Sequence, residues 1–248
     1  MISIDMTSAV VAVTGAAGGI GTGIARRFAD AGASLVLQHH RSAAPVLDAP
    51  GGTCTVRADL TADDGPAQVV AAALDAYGRI DALVNNAGVQ PAAPFMDVTE
   101  SGWDEMIATN VTACHRLTRA FAAHVIGHRG RGSVVHIASI EGSQPAVGHS
   151  HYATSKAALI MHARAAAVEL GPHGIRVNSV SPGLIGRAGI DEVWPDGVGR
   201  WLAAAPLGRM GAPDEIGDAC VFLCSSLASW ISGVDLVVDG GISARSTW

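Results

Sequence analysis

A doubly wound α/β sheet in a single domain is what this chain predicts, on three observations. Short apolar runs suited to buried strands alternate with longer alanine-rich helical runs from residue 9 to residue 238. A glycine-rich turn joins the first apolar run to the first helical stretch. No charged block, repeat or low-complexity linker divides the 248 residues, a length that open α/β sheets commonly fill as one domain. Residues 1–248 are therefore expected to form one unit.

The first run, residues 9–13 (Ala-Val-Val-Ala-Val), suits a strand buried on both faces. Thr14-Gly15-Ala16-Ala17-Gly18-Gly19-Ile20-Gly21 follows, then a helical stretch over residues 22–31 with Gly32 placed to end it. A backbone without Cβ can turn tightly and bring its N–H groups up to a pyrophosphate at the positive end of a helix. Gly15, Gly19, Ile20 and Gly21 are thus candidate dinucleotide contacts. The second strand, residues 34–38, ends in Gln38-His39-His40-Arg41-Ser42, where an adenosine ribose is expected. An NAD site usually places an acid there, yet this segment offers only donors. Arg41 and Ser42 suit a 2′-phosphate, which favours NADP with NAD as the alternative. The third strand, residues 53–57, leads to Asp59, a candidate acceptor for the adenine amino group. Residues 80–84, 175–180 and 234–238 are further strands.

Lys156 is the only lysine; the other fifteen basic residues are arginine. Tyr152, one of two tyrosines, lies four positions earlier, so a helix would present phenol and ammonium on one face. Bringing a phenol from near pH ~10 to neutrality takes roughly 4 kcal/mol. A charge about 5 Å away, at an effective dielectric near 20, supplies on the order of 3 kcal/mol. The spacing predicts an activated tyrosine acting as acid or base, with an oxidised nicotinamide supplying the remainder.

The net charge of −6 argues against a nucleic-acid partner. Mean hydropathy is +0.31, yet no run of ~18 apolar residues exists, so a buried core rather than a membrane span accounts for it. Met1-Ile-Ser-Ile-Asp5 has no basic n-region, which leads us to expect a cytoplasmic protein. Cys54, Cys114, Cys220 and Cys224 lack zinc-site spacing and read as buried apolar residues. Neither Cys220 with Cys224 nor His124 with His128 has an evident third ligand, so no metal is expected.

Together these residues resemble the classical short-chain dehydrogenase/reductase family along essentially the whole chain. Thr14-Gly15-x-x-x-Gly19-x-Gly21 is similar to its cofactor turn, and Asn85-Asn86-Ala87-Gly88 to its NNAG element. Asn110, Ser139, Tyr152 and Lys156 match its catalytic tetrad, and Pro182-Gly183 its nicotinamide-side turn. The resemblance implies a Rossmann-type seven-stranded parallel sheet with helices on both faces. It implies hydride transfer between NADP(H) and a small carbonyl or secondary alcohol. Ser139 would hold the carbonyl oxygen, Tyr152 pass the proton, Lys156 bond the nicotinamide ribose and lower the tyrosine pKa, and Asn110 steady a water chain. Asn86, Ala87, Gly88, Pro182 and Gly183 would border the cofactor. Gly186-Arg187 stands where many relatives carry a threonine, leaving the carboxamide contact to the backbone of Ile185. The Gln38–Ser42 segment also resembles the His-Arg-Ser turn of pteridine reductases and related NADPH-dependent members.

Residues 90–96, 141–151 and 184–201 are the expected pocket walls, with residues 184–205 a helical lid whose Trp194 and Trp201 either favour a partly apolar or ring-bearing substrate or anchor the lid to the core. Glu141, Gln144, His149 and His151 either orient a polar substrate or face water. The resemblance implies a homo-oligomer, a homotetramer joined through residues 100–126 and strand 234–238; the tail, residues 244–248, either packs on a neighbour or frays. The rival readings are an NAD-preferring dehydrogenase, an epimerase or dehydratase using transient redox chemistry, and a non-catalytic dinucleotide sensor. The chain length argues against the second, and the retained tetrad against the third.

Overall fold

Valine-rich runs with no polar face become the centre of a parallel sheet, because helices cover both of its sides. The computed structural model describes residues 4–245. The strands are β1 (Val10–Val13), β2 (Ser34–His39), β3 (Thr53–Arg57), β4 (Ala82–Asn85), β5 (Gly132–Ile137), β6 (Ile175–Pro182) and β7 (Asp235–Val238). They form one seven-stranded sheet in the order β3-β2-β1-β4-β5-β6-β7, every pair parallel. The doubly wound architecture is as the sequence predicts. Its fourth strand starts two residues late, because Asp81 turns its carboxylate onto the Val10 N–H before pairing begins.

Alternation of side chains along each strand divides the core into two layers. On one face Val11, Val13, Leu35, Leu37, Val84 and Val135 pack under α1 (Gly19–Asp30) and, further along the chain, Pro213–Cys224. On the other face Val10, Ala12, Val36, Leu83 and Val134 meet α2 (Gly65–Tyr77) and two longer helices. The first of these begins as α3 (Glu100–Ile107), passes through a π-turn at Ala108–Thr112 and continues as α4 (Ala113–Gly127). The second is α5 (Ser150–Leu170). Fully buried Phe28 and Phe121 anchor the two layers, and truncating either to alanine should cost about 3–5 kcal/mol.

Helix α1 begins three residues earlier than its apolar pattern suggests, so the last glycines of the turn form its first turn. Gly32 has φ +90° just past its end, as expected of a C′ glycine. Residues 184–205 carry two short helices, α6 (Ile190–Val193) and α7 (Pro195–Ala204). Gly197 leaves room for the Trp194 ring, since a Cβ there would stand 1.8 Å from it. The Trp201 ring lies against Gly183, and its indole N–H donates to Arg209 O at 3.3 Å, so this tryptophan anchors the segment to the β6 turn. The last helix, α8 (Pro213–Cys224), crosses α1 closely at Gly23 and Gly217. Cys220 is wholly buried in that layer and Cys114 is buried too, whereas Cys54, on edge strand β3, and Cys224, at the end of α8, are only partly buried, contrary to the sequence expectation. Residues 246–248 of the expected tail lie outside the described residues. No described helix is long and apolar enough to cross a membrane.

Candidate active site

The strand order reverses between β1 and β4, and ligands of open α/β sheets bind outside the carboxyl ends of strands at such a point. The glycine turn after β1 is locked there by neighbouring strands. Thr14 Oγ1 accepts from the Asn86 and Ala87 N–H groups at 2.9 and 3.0 Å. Asn86 Nδ2 returns donors to the carbonyls of Thr14 and Gly15. Buried Gln38 reaches across from β2, accepting from the Gly15 N–H at 2.9 Å and donating to Ala58 O at 2.7 Å. Gly15 has φ +60°, and a Cβ on Gly21 would stand 2.2 Å from Gly15 O. Around Gly19 a Cβ would meet nothing within 4 Å, which leaves an open cradle at the N-terminus of α1. That cradle fits a pyrophosphate. Ile20 borders it as the second residue of the helix.

At the ends of β2 and β3, Arg41 and Ser42 are exposed, and the Ser42 carbonyl bonds His39 Nδ1 at 3.0 Å. Exposed Arg57 joins them, its Nε donating to His40 O at 3.3 Å. Asp59 is partly committed: its Oδ1 accepts from the Thr61 N–H and hydroxyl at 2.9 and 2.7 Å, which hold its carboxyl below the usual range. Its Oδ2 lies 3.8 Å from His40 Nε2. The surroundings of the proposed ribose are therefore cationic except for this one carboxylate.

The four tetrad residues converge from β5, α5 and the π-turn. Tyr152 and Lys156 occupy one face of α5, with Lys156 Nζ 5.5 Å from the phenol ring centre. Ser139 follows β5, its hydroxyl stands beside the phenol, and it accepts from the Glu141 N–H at 3.1 Å. Lys156 is buried and donates to Ile137 O at 2.7 Å. A Cβ on Gly88 would come 3.7 Å from Lys156 Nζ and 3.1 Å from Asn110 Oδ1, which puts the NNAG turn against the same charge.

Electrostatics differ from the sequence expectation. Burial pushes the Tyr152 phenol up to about 12, opposed by the neighbouring Ser139 hydroxyl and assisted by the Glu141 carboxylate. Burial also pushes Lys156 down to about 8. Burial works against the charged form of each group, so the chain alone does not lower the phenol as its spacing from Lys156 predicts. Asn110 is tied through its side chain. Its side chain exchanges two hydrogen bonds with the Val89 backbone, 2.9 Å as acceptor and 3.0 Å as donor, and donates to Ser155 Oγ at 3.0 Å. With its amide thus engaged, it fastens the chain after β4 to the π-turn.

After β6, Gly183 N–H donates to Val238 O at 3.0 Å, and Ile185 forms an isolated parallel bridge with Gly211. The bridge uses Leu184 O and Gly186 N–H, at 3.0 and 2.8 Å. In a parallel bridge of this register the N–H and C=O of Ile185 itself point the opposite way. The pocket walls are partly tied together: Ala93 N–H donates to Gly148 O at 2.9 Å. His149 Nδ1 bonds Glu141 Oε2 at 2.8 Å, and the His149 ring meets the Tyr152 ring edge-on at 5.9 Å. Gln144 is exposed, with its Nε2 3.4 Å from Ser243 O, whereas His151 is buried with no partner for Nδ1 and so does not face water. The structural roles of Thr14 and Gln38 escape sequence reasoning. An amide ending an otherwise apolar strand is the available signal for Gln38.

A family model described as enoyl-(acyl carrier protein) reductase matches residues 15–243. The chain belongs to the classical short-chain dehydrogenase/reductase family of oxidoreductases, whose members use nicotinamide dinucleotides. It is 36% identical to an L-rhamnose 1-dehydrogenase (NAD(P)(+)) of Azotobacter vinelandii, with 98% of each chain covered. It is 34% identical to a 3-oxoacyl-[acyl-carrier-protein] reductase of Chlamydia pneumoniae, covering 98% of this chain and 100% of that one. A 2,5-dichloro-2,5-cyclohexadiene-1,4-diol dehydrogenase of Sphingobium indicum is 33% identical, with 94% and 96% covered.

Proposed function

We propose that this protein is an NADP-dependent dehydrogenase or reductase that interconverts a secondary alcohol and a carbonyl, with Tyr152 as its acid and base. The observation that carries this reading is the burial of Tyr152, Ser139 and Lys156 together beside an open glycine cradle. The cradle at Gly15, Gly19, Ile20 and Gly21 holds the pyrophosphate, and Arg41 and Ser42 hold the 2′-phosphate. Asp59 takes the adenine amino group through its freer oxygen. Asn86, Ala87 and Gly88 line the cofactor's middle, while Pro182, Gly183 and the outward N–H and C=O of Ile185 receive the carboxamide.

When bound, the nicotinamide supplies or accepts the hydride and, oxidised, brings the positive charge that the buried phenol needs. Ser139 bonds the substrate oxygen and fixes it within reach of Tyr152. In oxidation Tyr152 takes the hydroxyl proton, and in reduction it returns one. Lys156 bonds the nicotinamide ribose with donors not used on Ile137 O. Asn110 acts through its main-chain carbonyl, because its side chain is spent on Val89 and Ser155.

Glu141 and His149 present a charged, hydrogen-bonding wall next to Tyr152, which favours a hydroxylated substrate over a plain alkyl ketone. The sugar and cyclic-diol names of two relatives support the same class. Residues 184–205 form the lid, and the exposed Met161 and Val168 of α5 support a homo-oligomer, a homotetramer by family habit. The test is a panel of L-rhamnose, cyclic diols, simple secondary alcohols and 3-oxoacyl esters, each with NADP and NAD, followed by the absorbance of reduced nicotinamide. Turnover of a hydroxylated substrate with NADP supports the reading. Coenzyme binding without turnover of any compound favours the sensor.

A further inference from the structure

Beside the tetrad, an acid and an imidazole hold one another's side chains. Glu141 lies in the short turn Ile140–Gly142, two positions after Ser139, and His149 precedes α5, three positions before Tyr152. The segments that carry the serine and the tyrosine therefore also carry this pair. His149 Nδ1 meets Glu141 Oε2 at 2.8 Å, with the two side chains only 21% and 17% exposed. Among the described residues, every other acid–base contact has at least one partner more than a third exposed.

The main chain fixes both residues against the reacting groups. The Glu141 N–H donates to Ser139 Oγ at 3.1 Å, and His149 O accepts from the Ala153 N–H at 2.7 Å. The His149 and Tyr152 rings stand at 69° with their centres 5.9 Å apart, so imidazole and phenol border the same space. A substrate whose reacting oxygen lies on Ser139 and Tyr152 has its neighbouring carbon beside this pair.

Hydrogen-bond chemistry then sets the sign of the contact. An ionised carboxylate only accepts, so the proton of the neutral imidazole is on Nδ1 and Nε2 presents a lone pair. Neither Nε2 of His149 nor Oε1 of Glu141 has a hydrogen-bond partner among the described residues. The pair thus offers a ligand acceptors and no donor. A hydroxyl satisfies such a surface, whereas an ether, ester or ketone oxygen faces it lone pair to lone pair.

We propose that His149, its tautomer set by Glu141, is a specificity-determining acceptor for a hydroxyl on the carbon next to the reacting one. The substrate class is then a vicinal diol or the matching α-hydroxy carbonyl, as in a sugar. A 3-oxoacyl ester offers the pair only acceptor oxygens and is disfavoured. The assignment rests on the dehydrogenase reading of the site and narrows it.

Three cyclic compounds probe that neighbouring carbon: cyclohexane-1,2-diol carries a donor there, 2-methoxycyclohexanol an oxygen that only accepts, and cyclohexanol neither. L-rhamnose, its 2-O-methyl ether and its 2-deoxy analogue make the same comparison on a sugar. For each compound kcat/KM is measured in wild type, His149→Phe and Glu141→Gln, with thermal melts to verify folding. Wild type should favour the free hydroxyl over its methyl ether by about tenfold or more. His149→Phe keeps a ring without the acceptor and should bring that ratio towards one. Glu141→Gln should lower it too, because an amide can donate to Nδ1 and move the imidazole proton to Nε2; this variant carries the comparison if the phenylalanine variant does not fold. A wild-type ratio near one, or a ratio unchanged in either folded variant, overturns the assignment. So does an equal loss on all compounds of a set, the mark of a pair that only holds its loop. Turnover of none of the compounds would remove the dehydrogenase reading as well, which distinguishes its failure from failure of His149 alone.

Discussion

Lys156 Nζ stands 5.5 Å from the centre of the Tyr152 ring, yet its nearest hydrogen-bond partner is the carbonyl of Ile137, at 2.7 Å. The lysine is thereby held as a buried cation before any substrate arrives. Its value falls from 10.5 to about 8, a penalty on the order of 3 kcal/mol against the charged form. A lysine depressed in the folded state makes the unfolded chain bind more protons between about pH 8 and about pH 10.5. Stability from this group therefore rises with pH across that window. Lys156→Met should stabilise the protein at pH 7 by about 1–2 kcal/mol after loss of the Ile137 bond, while activity disappears. Melting curves at pH 7 and pH 10 check this, and the advantage of the variant should shrink at the higher pH.

The phosphate cradle is a steric device. Gly21→Ala sets a methyl 2.2 Å from Gly15 O, a contact no rotamer relieves. The turn must open, and we expect a loss of about 2 kcal/mol or more in stability, with coenzyme affinity lowered at least as much. Gly19→Ala meets nothing within 4 Å in the protein and should leave stability within about 1 kcal/mol, so its effect on coenzyme binding isolates the approach of the phosphate. Titration of intrinsic fluorescence with NADP and NAD separates the two variants.

Coenzyme choice should follow Arg41. Removing a bidentate partner of a phosphate costs about 2 kcal/mol, or roughly thirtyfold in affinity. Arg41→Ala should weaken NADPH by that order and leave NADH nearly unchanged. Equal weakening of both would remove the 2′-phosphate role.

The parts of this design legible in sequence are those that local chemistry dictates. Strands of Val, Ala and Leu buried on both faces, the glycine turn with Gly32 closing its helix, and the four-residue step from Tyr152 to Lys156 each follow from short-range rules. What stays hidden depends on residues distant in the chain. Gln38 is an ordinary polar residue until Gly15 and Ala58 come to either end of its amide. Cys114, His136 and His162, with donor atoms within 4.8 Å of one another, have no spacing that announces them, because a helix, a strand and a second helix each contribute one. The tyrosine's electrostatics are hidden for a related reason: a pairwise interaction at about 5 Å contains the attraction of the lysine but not the burial of both groups.

Glu141 should tune the proton step. Burial leads the causes that raise Tyr152, and the Glu141 carboxylate adds to them. Glu141→Gln removes that negative charge, so the phenolate becomes easier to form. The rising limb of alcohol oxidation against pH should move to lower pH, while affinity for a hydroxylated substrate falls with loss of the Glu141–His149 pair. A rate profile from about pH 6 to about pH 10 measures both effects, and a limb shifted to higher pH would contradict the assignment.

The mechanism turns on the Tyr152 hydroxyl as carrier of the reaction's proton. Single-turnover hydride transfer in Tyr152→Phe, with coenzyme binding followed in the same samples, tests that role without interference from other steps. Coenzyme affinity should be unchanged and the rate lower by on the order of 10³-fold at every pH. Hydride transfer within a few-fold of wild type would show that another group holds the proton.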